Sequence, residues 1–402
     1  MSIAEFFTEV KAPRVAQLGG KGNSLVILMN SGFNVPPGFI LFSEVLFEFL
    51  RQNNIEQKIE KLAKGINEDN FLSESKKIRD LILNGKIPFS VASEISRNLK
   101  RLNEKYVAVR SSAISEDNLQ ASFAGLYDTF LNVKVDLEVI LEHIKLCWAS
   151  LFSERAVIYK LMKKISQIEG MSIIVQKMIP SEVSGITFTI HPVNKRAMLV
   201  ELVQGIGDKL VSGRVTPQSF SIDRETCLII EKKKSAKMII SEEYLRKIAN
   251  LCLMVERTFG IPQDIEWCIY KDAIWLLQSR PITIVKLFCK GEHQKRVVLV
   301  GLGASPGTVR GKVEVILSLK EISKMNDGEI LVTVMTNPLY ITAIQKAKAI
   351  VTDVGGMICH AAIVARELGI PCVVGTENAT KVLKDGMEII VNGAEGKIYL
   401  PS

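Results

Sequence analysis

The stretch Thr352–Gly375, TDVGGMICHAAIVARELGIPCVVG, decides how this chain is read. An apolar run, Ala349 to Val351, leads into it and reads as a buried strand. Gly355 and Gly356 then allow a sharp backbone turn at little steric cost. His360 falls in the first turn of a helix, AAIVAREL, that should stop before Gly369 and Pro371. A helix N-terminus offers free N–H groups and the positive end of the helix dipole, which suit an anion and disfavour an imidazolium. A neutral, nucleophilic ring that takes up and gives away a phosphoryl group fits that position. Taken alone, the position also suits a capping or packing histidine, so the rest of the chain has to decide. Cys359 reads as a small packing residue, with nothing beside it to activate a thiolate.

At 402 residues the chain is too long for one ordinary core, and two or three domains are expected. Hydrophobic content of 47% and charged content of 23% describe a soluble globular protein. The net charge of +8 is uneven: 11 basic and 10 acidic residues lie from Arg296 onward, against 40 and 33 upstream. The upstream excess favours a polyanion such as ATP, although diffuse lysine is commonly solvated surface. The run Lys232–Lys234 reads as an exposed turn, since no aromatic residues interleave with it as a single-strand nucleic-acid binder requires. Seven scattered cysteines without a CxxC pair point to reduced thiols and a cytoplasmic protein. The four histidines show no metal-ligand spacing. The N-terminus lacks a signal-peptide core, and no apolar run is long enough to span a membrane.

Working outward, four further segments carry chemistry. Leu18–Leu25, LGGKGNSL, places Lys21 among glycines that let backbone approach a phosphate, without the P-loop spacing. Residues 44 to about 105 read as scaffold helices with apolar positions three and four apart. Tyr106–Val133 delivers Arg110 from an apolar strand directly before Ser111 and Ser112, with a second glycine-bearing turn ending at Gly125 and then Thr129. Arginine's rigid fork suits phosphate oxygens, which the serine hydroxyls and glycine amides can supplement. Glu116 and Asp117 read as helix-capping acids. The strand SIIVQKMI places Gln176 and Lys177 on opposite faces, so only one of them can meet a nucleotide. His191 sits in a turn and reads as surface. Asp264–Thr283, DIEWCIYKDAIWLLQSRPIT, reads as two strands carrying Glu266, Gln278 and Arg280. Glu266 and Gln278 are hard oxygen ligands fit for Mg2+, and Arg280 shares a strand face with Gln278. Asn337 and Pro338 read as the N-cap and first residue of a helix.

These motifs together resemble the phosphoenolpyruvate synthase and pyruvate phosphate dikinase family. GGMICHAAIVARELGIPCVVG is similar to its phosphohistidine segment, VAVRSSA…SFAG…TFLNV to its nucleotide-binding domain, and DIEW…LQSRPIT to its ATP-grasp signature. The resemblance covers nearly the whole chain in the family's order. It implies an α/β (α+β) protein: an ATP-grasp domain at 1–284, a linker at 285–296 and a β/β/α swivelling phosphohistidine domain at 297–402. It implies ATP and Mg2+ as cofactors, His360 as the catalytic phosphocarrier, and Lys21, Arg110, Gly125, Thr129, Gln176, Glu266, Gln278 and Arg280 as the nucleotide site. Within that set, Gln176 would meet the adenine, and Glu266 and Gln278 would hold the metal. Ser305 and Thr336 fall at positions near the phosphohistidine. Three residues depart from the family pattern: Ile358 stands where threonine is usual, Asp208 where glutamate is, and Gln218 where aspartate is.

In that family the β-phosphoryl group of ATP passes to the histidine and AMP is released. The chain ends at Ser402, where family members continue into a pyruvate-binding barrel. The expectation is therefore an ATP-dependent phosphotransferase whose small-molecule acceptor binds these two domains or a separate subunit. The alternatives are the ATP and carrier half of a split phosphoenolpyruvate synthase, and a non-catalytic ATP-binding module. Nucleic acid and membrane are not expected as partners.

Overall fold

The computed structural model describes residues 3–67, 70–115, 126–162, 169–192, 194–211, 215–233, 238–282 and 297–401. Glu116, Asp117, Gly125 and the expected linker at 285–296 lie outside the described residues. By compactness the chain forms two units, Met1–Pro180 with Ile265–Pro281, and Ser181–Asp264 with Ile282–Ser402. The expected domain limits, 1–284 and 297–402, follow motif content, whereas compactness groups 181–264 with the C-terminal part.

The first unit runs β1 (Ala4–Phe6), α1 (Val15–Asn30), β2 (Gly38–Leu41), α2 (Glu44–Gln52), α3 (Glu56–Lys64), α4 (Phe71–Asn84), α5 (Phe89–Leu102), β3 (Tyr106–Ala113), β4 (Thr129–Lys134), α6 (Leu137–Ala149), α7 (Glu154–Met162) and β5 (Met171–Lys177). Its sheet has the order β1-β2-β5-β3-β4, antiparallel throughout. Helices α2 to α5 form as the periodicity of 44–102 predicts, and their apolar stripes bury Phe49, Ile78, Val91 and Ile95 in one core cluster that also takes in sheet residues such as Val107 and Val175. Trp148 of α6 is fully buried beside Phe49, and its indole N–H donates to Met171 O at 3.3 Å. That bond satisfies the one polar atom the large ring brings inside.

The second unit opens with the antiparallel meander β6 (Val183–Phe188), β7 (Ala197–Gln204), β8 (Gln218–Asp223) and β9 (Ile229–Lys233), with α8 (Asp208–Val211) in one connection and α9 (Glu242–Phe259) after it. Lys232 therefore lies on a strand, exposed, and not in a turn. The hairpin β10 (Gln263–Tyr270) and β11 (Ala273–Pro281), which from Ile265 onward belongs to the first unit, turns at Lys271 and Asp272, both with positive φ. The C-terminal region comprises β12 (Val297–Val300), β13 (Leu302–Ser305), β14 (Thr308–Val315), β15 (Ile330–Thr333), α10 (Ile341–Lys346), β16 (Ala349–Thr352), α11 (His360–Leu368), β17 (Cys372–Val374), α12 (Ala379–Val382), β18 (Glu388–Asn392) and β19 (Lys397–Tyr399). Its sheet order is β12-β19-β18-β14-β15-β16-β17-β13, with β14, β15, β16 and β17 parallel neighbours. Buried parallel strands explain why 349–351 reads as one apolar run. Asn337 caps its turn by accepting Leu339 N–H at 2.9 Å, and that turn is 3-10 before it becomes α10. No helix among the described residues is long and apolar enough to cross a membrane.

One backbone position governs how α1 meets β3. Gly19 has φ 66° and ψ 176°, which breaks α1 so that a fresh helix N-terminus begins at Gly20-Lys21-Gly22. A Cβ on Gly19 would lie 2.1 Å from Ser112 O. Both the left-handed φ and the close approach demand glycine there. Gly19→Ala is expected to destabilise the protein by about 1–3 kcal/mol, the usual size of such backbone strain. Equilibrium denaturant unfolding measures this, and an unchanged midpoint would contradict it.

Candidate nucleotide site and candidate phosphocarrier histidine

In the first unit the candidate residues assemble around Arg110. Strand β3 carries its side chain into the interior, where it is only 7% exposed. Its Nη1 donates to Leu277 O at 2.7 Å and to Gln176 Oε1 at 3.3 Å, and its Nη2 donates to Gln278 Oε1 at 2.7 Å. Glu266 Oε2 lies 3.9 Å from the same Nη2. One guanidinium thus joins β3, β5 and the β10–β11 hairpin, which brings Arg110, Gln176, Glu266 and Gln278 together. Its fork geometry makes this possible, and burial makes the bonds obligatory.

Gln176 is used on both sides: its amide also donates to Pro36 O at 3.0 Å. Its side chain therefore braces Arg110 in this structure. Lys21, on the first turn after the Gly19 break, donates to Ser111 O at 3.3 Å. Gly22 N–H donates to Ser112 Oγ at 3.0 Å, and Ser112 Oγ donates in turn to Leu18 O at 2.9 Å. Ser111 Oγ donates to Asp128 O at 2.8 Å. Both serines are fully buried, so their hydroxyls hold the glycine turn and the β3 end and do not face a ligand. Ser172 on β5 adds bonds to Leu18 O and Ser112 O, a brace that sequence reading missed because serine in a strand has no distinctive spacing. Thr129 pairs with Arg110 across the β3–β4 ladder and is exposed. Arg280 is half-buried, two residues beyond Gln278 on β11.

Among the described residues no group of three or more His, Cys, Asp and Glu can hold a metal. The donor set nonetheless fits Mg2+ arriving with a polyphosphate. Glu266 supplies a carboxylate, and the Gln278 amide oxygen keeps a second lone pair beyond its bond to Arg110. Mg2+ accepts such a partial set because phosphate oxygens and water complete its octahedron.

In the second unit, His360 is the first residue of α11, after the extended Cys359. The residue as a whole is half-buried, and loss of water around its ring lowers its pKa to about 4. Desolvation penalises the charged imidazolium, and the helix N-terminus works in the same direction. The ring Nδ1 lies 2.9 Å from Thr336 Oγ1. Ser305 is buried on β13. Cys359 is buried, and burial raises its thiol to about 11, which fits a packing role.

The turn before His360 is gripped from two sides. Met357 N–H donates to Glu201 Oε1 at 2.8 Å, and Met357 O accepts Arg366 Nη1 at 2.8 Å. Arg366 Nη1 also donates to Ala304 O at 2.8 Å. Gly356 is required because a Cβ there would lie 2.5 Å from Glu201 Oε2. Glu201 was missed by sequence reading, although a lone carboxylate inside the apolar strand AMLVELVQ is the signal that could have found it. His191, expected at the surface, is buried at 8% exposure, and its Nδ1 accepts Asn194 N–H at 3.1 Å. It is a turn-closing residue.

The lowered pKa of His360 sets a titration. Between about 4 and the ordinary 6.5 the folded ring stays neutral while an unfolded one would bind a proton. Its contribution to stability is therefore complete above pH 6.5 and is lost as pH falls through the lower value. NMR titration of the His360 ring is expected to give a midpoint near 4, and a midpoint near 6.5 would contradict the desolvated site.

Two family models match the chain. "Pyruvate phosphate dikinase, AMP/ATP-binding domain" matches residues 15–239 and 226–296, and "PEP-utilising enzyme, mobile domain" matches 325–396. Among curated relatives, a probable phosphoenolpyruvate synthase of Archaeoglobus fulgidus is 40% identical over 98% of this chain and 58% of its own length. One of Methanothermobacter thermautotrophicus is 36% identical over 98% of this chain and 63% of its own. The phosphoenolpyruvate synthase of Pyrococcus furiosus is 36% identical over 98% and 58%. The chain spans about three-fifths of the length of these relatives. With both family models matched in order and a relative 40% identical over 98% of its length, the chain belongs to the phosphoenolpyruvate synthase and pyruvate phosphate dikinase family.

Proposed function

We propose that this chain is an ATP-dependent phosphotransferase that takes the β-phosphoryl group of ATP onto Nε2 of His360 and passes it to a small-molecule acceptor. The observation that carries the reading is the place of His360 at the start of α11 with its Nδ1 2.9 Å from Thr336 Oγ1, in surroundings whose desolvation favours the neutral ring. If Nδ1 carries the proton and donates to Thr336 Oγ1, Nε2 keeps its lone pair and is the nucleophile. Attack forms an N–P bond at the β-phosphorus and breaks its bond to the α,β-bridging oxygen, whose electron pair leaves with AMP. The γ-phosphate is later released to water or to inorganic phosphate.

The Arg110 cluster supports nucleotide binding in this reading. Arg110, Lys21 and Arg280 offset phosphate charge, while Gln176 keeps Arg110 in place. Glu266 and Gln278 are the residues that would hold Mg2+, which when bound neutralises charge on the polyphosphate. Gly125 and Thr129 complete the proposed set, and the domain limits 1–284 and 297–402 remain part of the proposal. The relatives' shared name, phosphoenolpyruvate synthase, favours pyruvate as the acceptor, whether on this chain or on a partner chain.

Incubation with Mg2+ and ATP labelled separately at the β and γ positions tests this. Acid-labile β-label on the protein, lost in His360→Ala while ATP still binds, is the expected result. No label from either position, with ATP bound, would favour a non-catalytic binding module. Pyruvate should then discharge the label, and failure to do so would point to another acceptor or to a partner chain.

A further inference from the structure

The first unit contains a largely buried ion pair that the proposed chemistry does not use. Glu169, just ahead of β5, accepts Ser115 N–H at 3.0 Å and the Tyr127 hydroxyl at 2.5 Å. Lys160 Nζ of α7 lies 3.3 Å from Glu169 Oε1 and donates to Leu151 O at 3.4 Å. The same ammonium sits 5.7 Å from the centroid of the Phe152 ring. Burial works against both charges. It would raise Glu169, but the charge of Lys160 and the bonds from Ser115 and Tyr127 hold that carboxyl below its ordinary value. Burial lowers Lys160, against the pull of Glu169.

A buried pair of this kind is a weak source of stability, because desolvation consumes much of the attraction. What it does supply is geometry. Ser115 lies two residues past the end of β3, and Tyr127 lies two residues before β4 begins. Glu169 holds both, so one carboxylate fixes the spacing of two points twelve positions apart in sequence. Arg155 grips the same stretch from α7, through Nε to Leu126 O at 2.9 Å and through an ion pair with Asp128. Asp128 O in turn receives Ser111 N–H at 3.3 Å and Ser111 Oγ at 2.8 Å. Ser111 O is the acceptor for Lys21 Nζ, and Ser111 directly follows Arg110. A contiguous set of contacts therefore runs from the Lys160–Glu169 pair to Lys21 and to the residue beside Arg110, and so reaches two of the three cations of the candidate nucleotide site.

We propose that Glu169, with Lys160 as its counter-ion, is a positioning residue for nucleotide binding. It sets the spacing of the β3 and β4 ends and through them the placement of Lys21 and Arg110, without touching the ligand. This rests on the nucleotide reading of the Arg110 cluster.

The test is the affinity of the full chain for Mg2+ and a non-hydrolysable ATP analogue, measured by calorimetry beside the thermal unfolding midpoint. Glu169→Gln keeps the shape and removes the charge, which leaves Lys160 buried without its counter-ion. It is expected to weaken analogue binding roughly tenfold at temperatures where the protein is fully folded, within the usual range of coupling between sites. Val91→Ala, a core truncation in α5, is expected to lower the midpoint and leave the affinity unchanged. Should Glu169→Gln fail to fold, Tyr127→Phe removes one of the two donors, keeps the ion pair and is expected to weaken binding about threefold. Wild-type affinity in a folded Glu169→Gln or Tyr127→Phe variant, with only the midpoint lowered, would overturn the proposal. A wild-type chain that binds no analogue would instead overturn the nucleotide reading beneath it, and this inference with it.

Discussion

A histidine that is to accept a phosphoryl group must be neutral, and around His360 the exclusion of water enforces that state. The cost is that a desolvated ring needs a fixed partner for its second nitrogen, and Thr336 provides it at 2.9 Å. The surrounding turn must be equally fixed, since a nucleophile displaced by an ångström loses most of its advantage. Met357 is accordingly bound through both its N–H and its C=O, by Glu201 and Arg366. Gly356 lets the Glu201 carboxylate come this close, because no larger residue leaves room for it. The parallel strands β15, β16 and β17 then hold the turn on a rigid floor.

The first unit meets the opposite demand, since it must keep a cation buried and charged. Arg110 achieves this by spreading its donors over a backbone carbonyl, two amide oxygens and a nearby carboxylate. Removing any partner would strand a buried donor, which costs more than the bond itself contributes. Such a hub is a poor way to gain stability and an effective way to specify one arrangement of three strand segments. The Lys160–Glu169 pair acts in the same manner one layer further out.

Much of this was legible in the sequence, and the part that was not has a common cause. Strand 349–352, the glycine turn and helix 360–368 follow from local rules of burial, steric freedom and capping. The chemical types at Lys21, Arg110, Glu266, Gln278 and His360 were equally plain. Partnership was not, because Arg110 meets Gln278 across 168 positions and Glu201 meets Met357 across 156. Residue type also misled at Ser111 and Ser112. Hydroxyls beside an arginine suggest phosphate contacts, yet both are buried and face other strands and turns. His191 lay among turn residues that usually mean exposure, but the turn folds its amide onto the ring. Lys232 reads as part of a polar turn, while the ladder with Phe220 keeps it extended.

His360 is proposed to carry phosphate on Nε2, the nitrogen that Thr336 does not contact. Phosphorus NMR of the protein after reaction with ATP and Mg2+ tests it most directly. A phosphoramidate resonance of the Nε2 isomer, absent from His360→Ala, is the expected result. A resonance of the Nδ1 isomer, or phosphate on any residue other than His360, would contradict it.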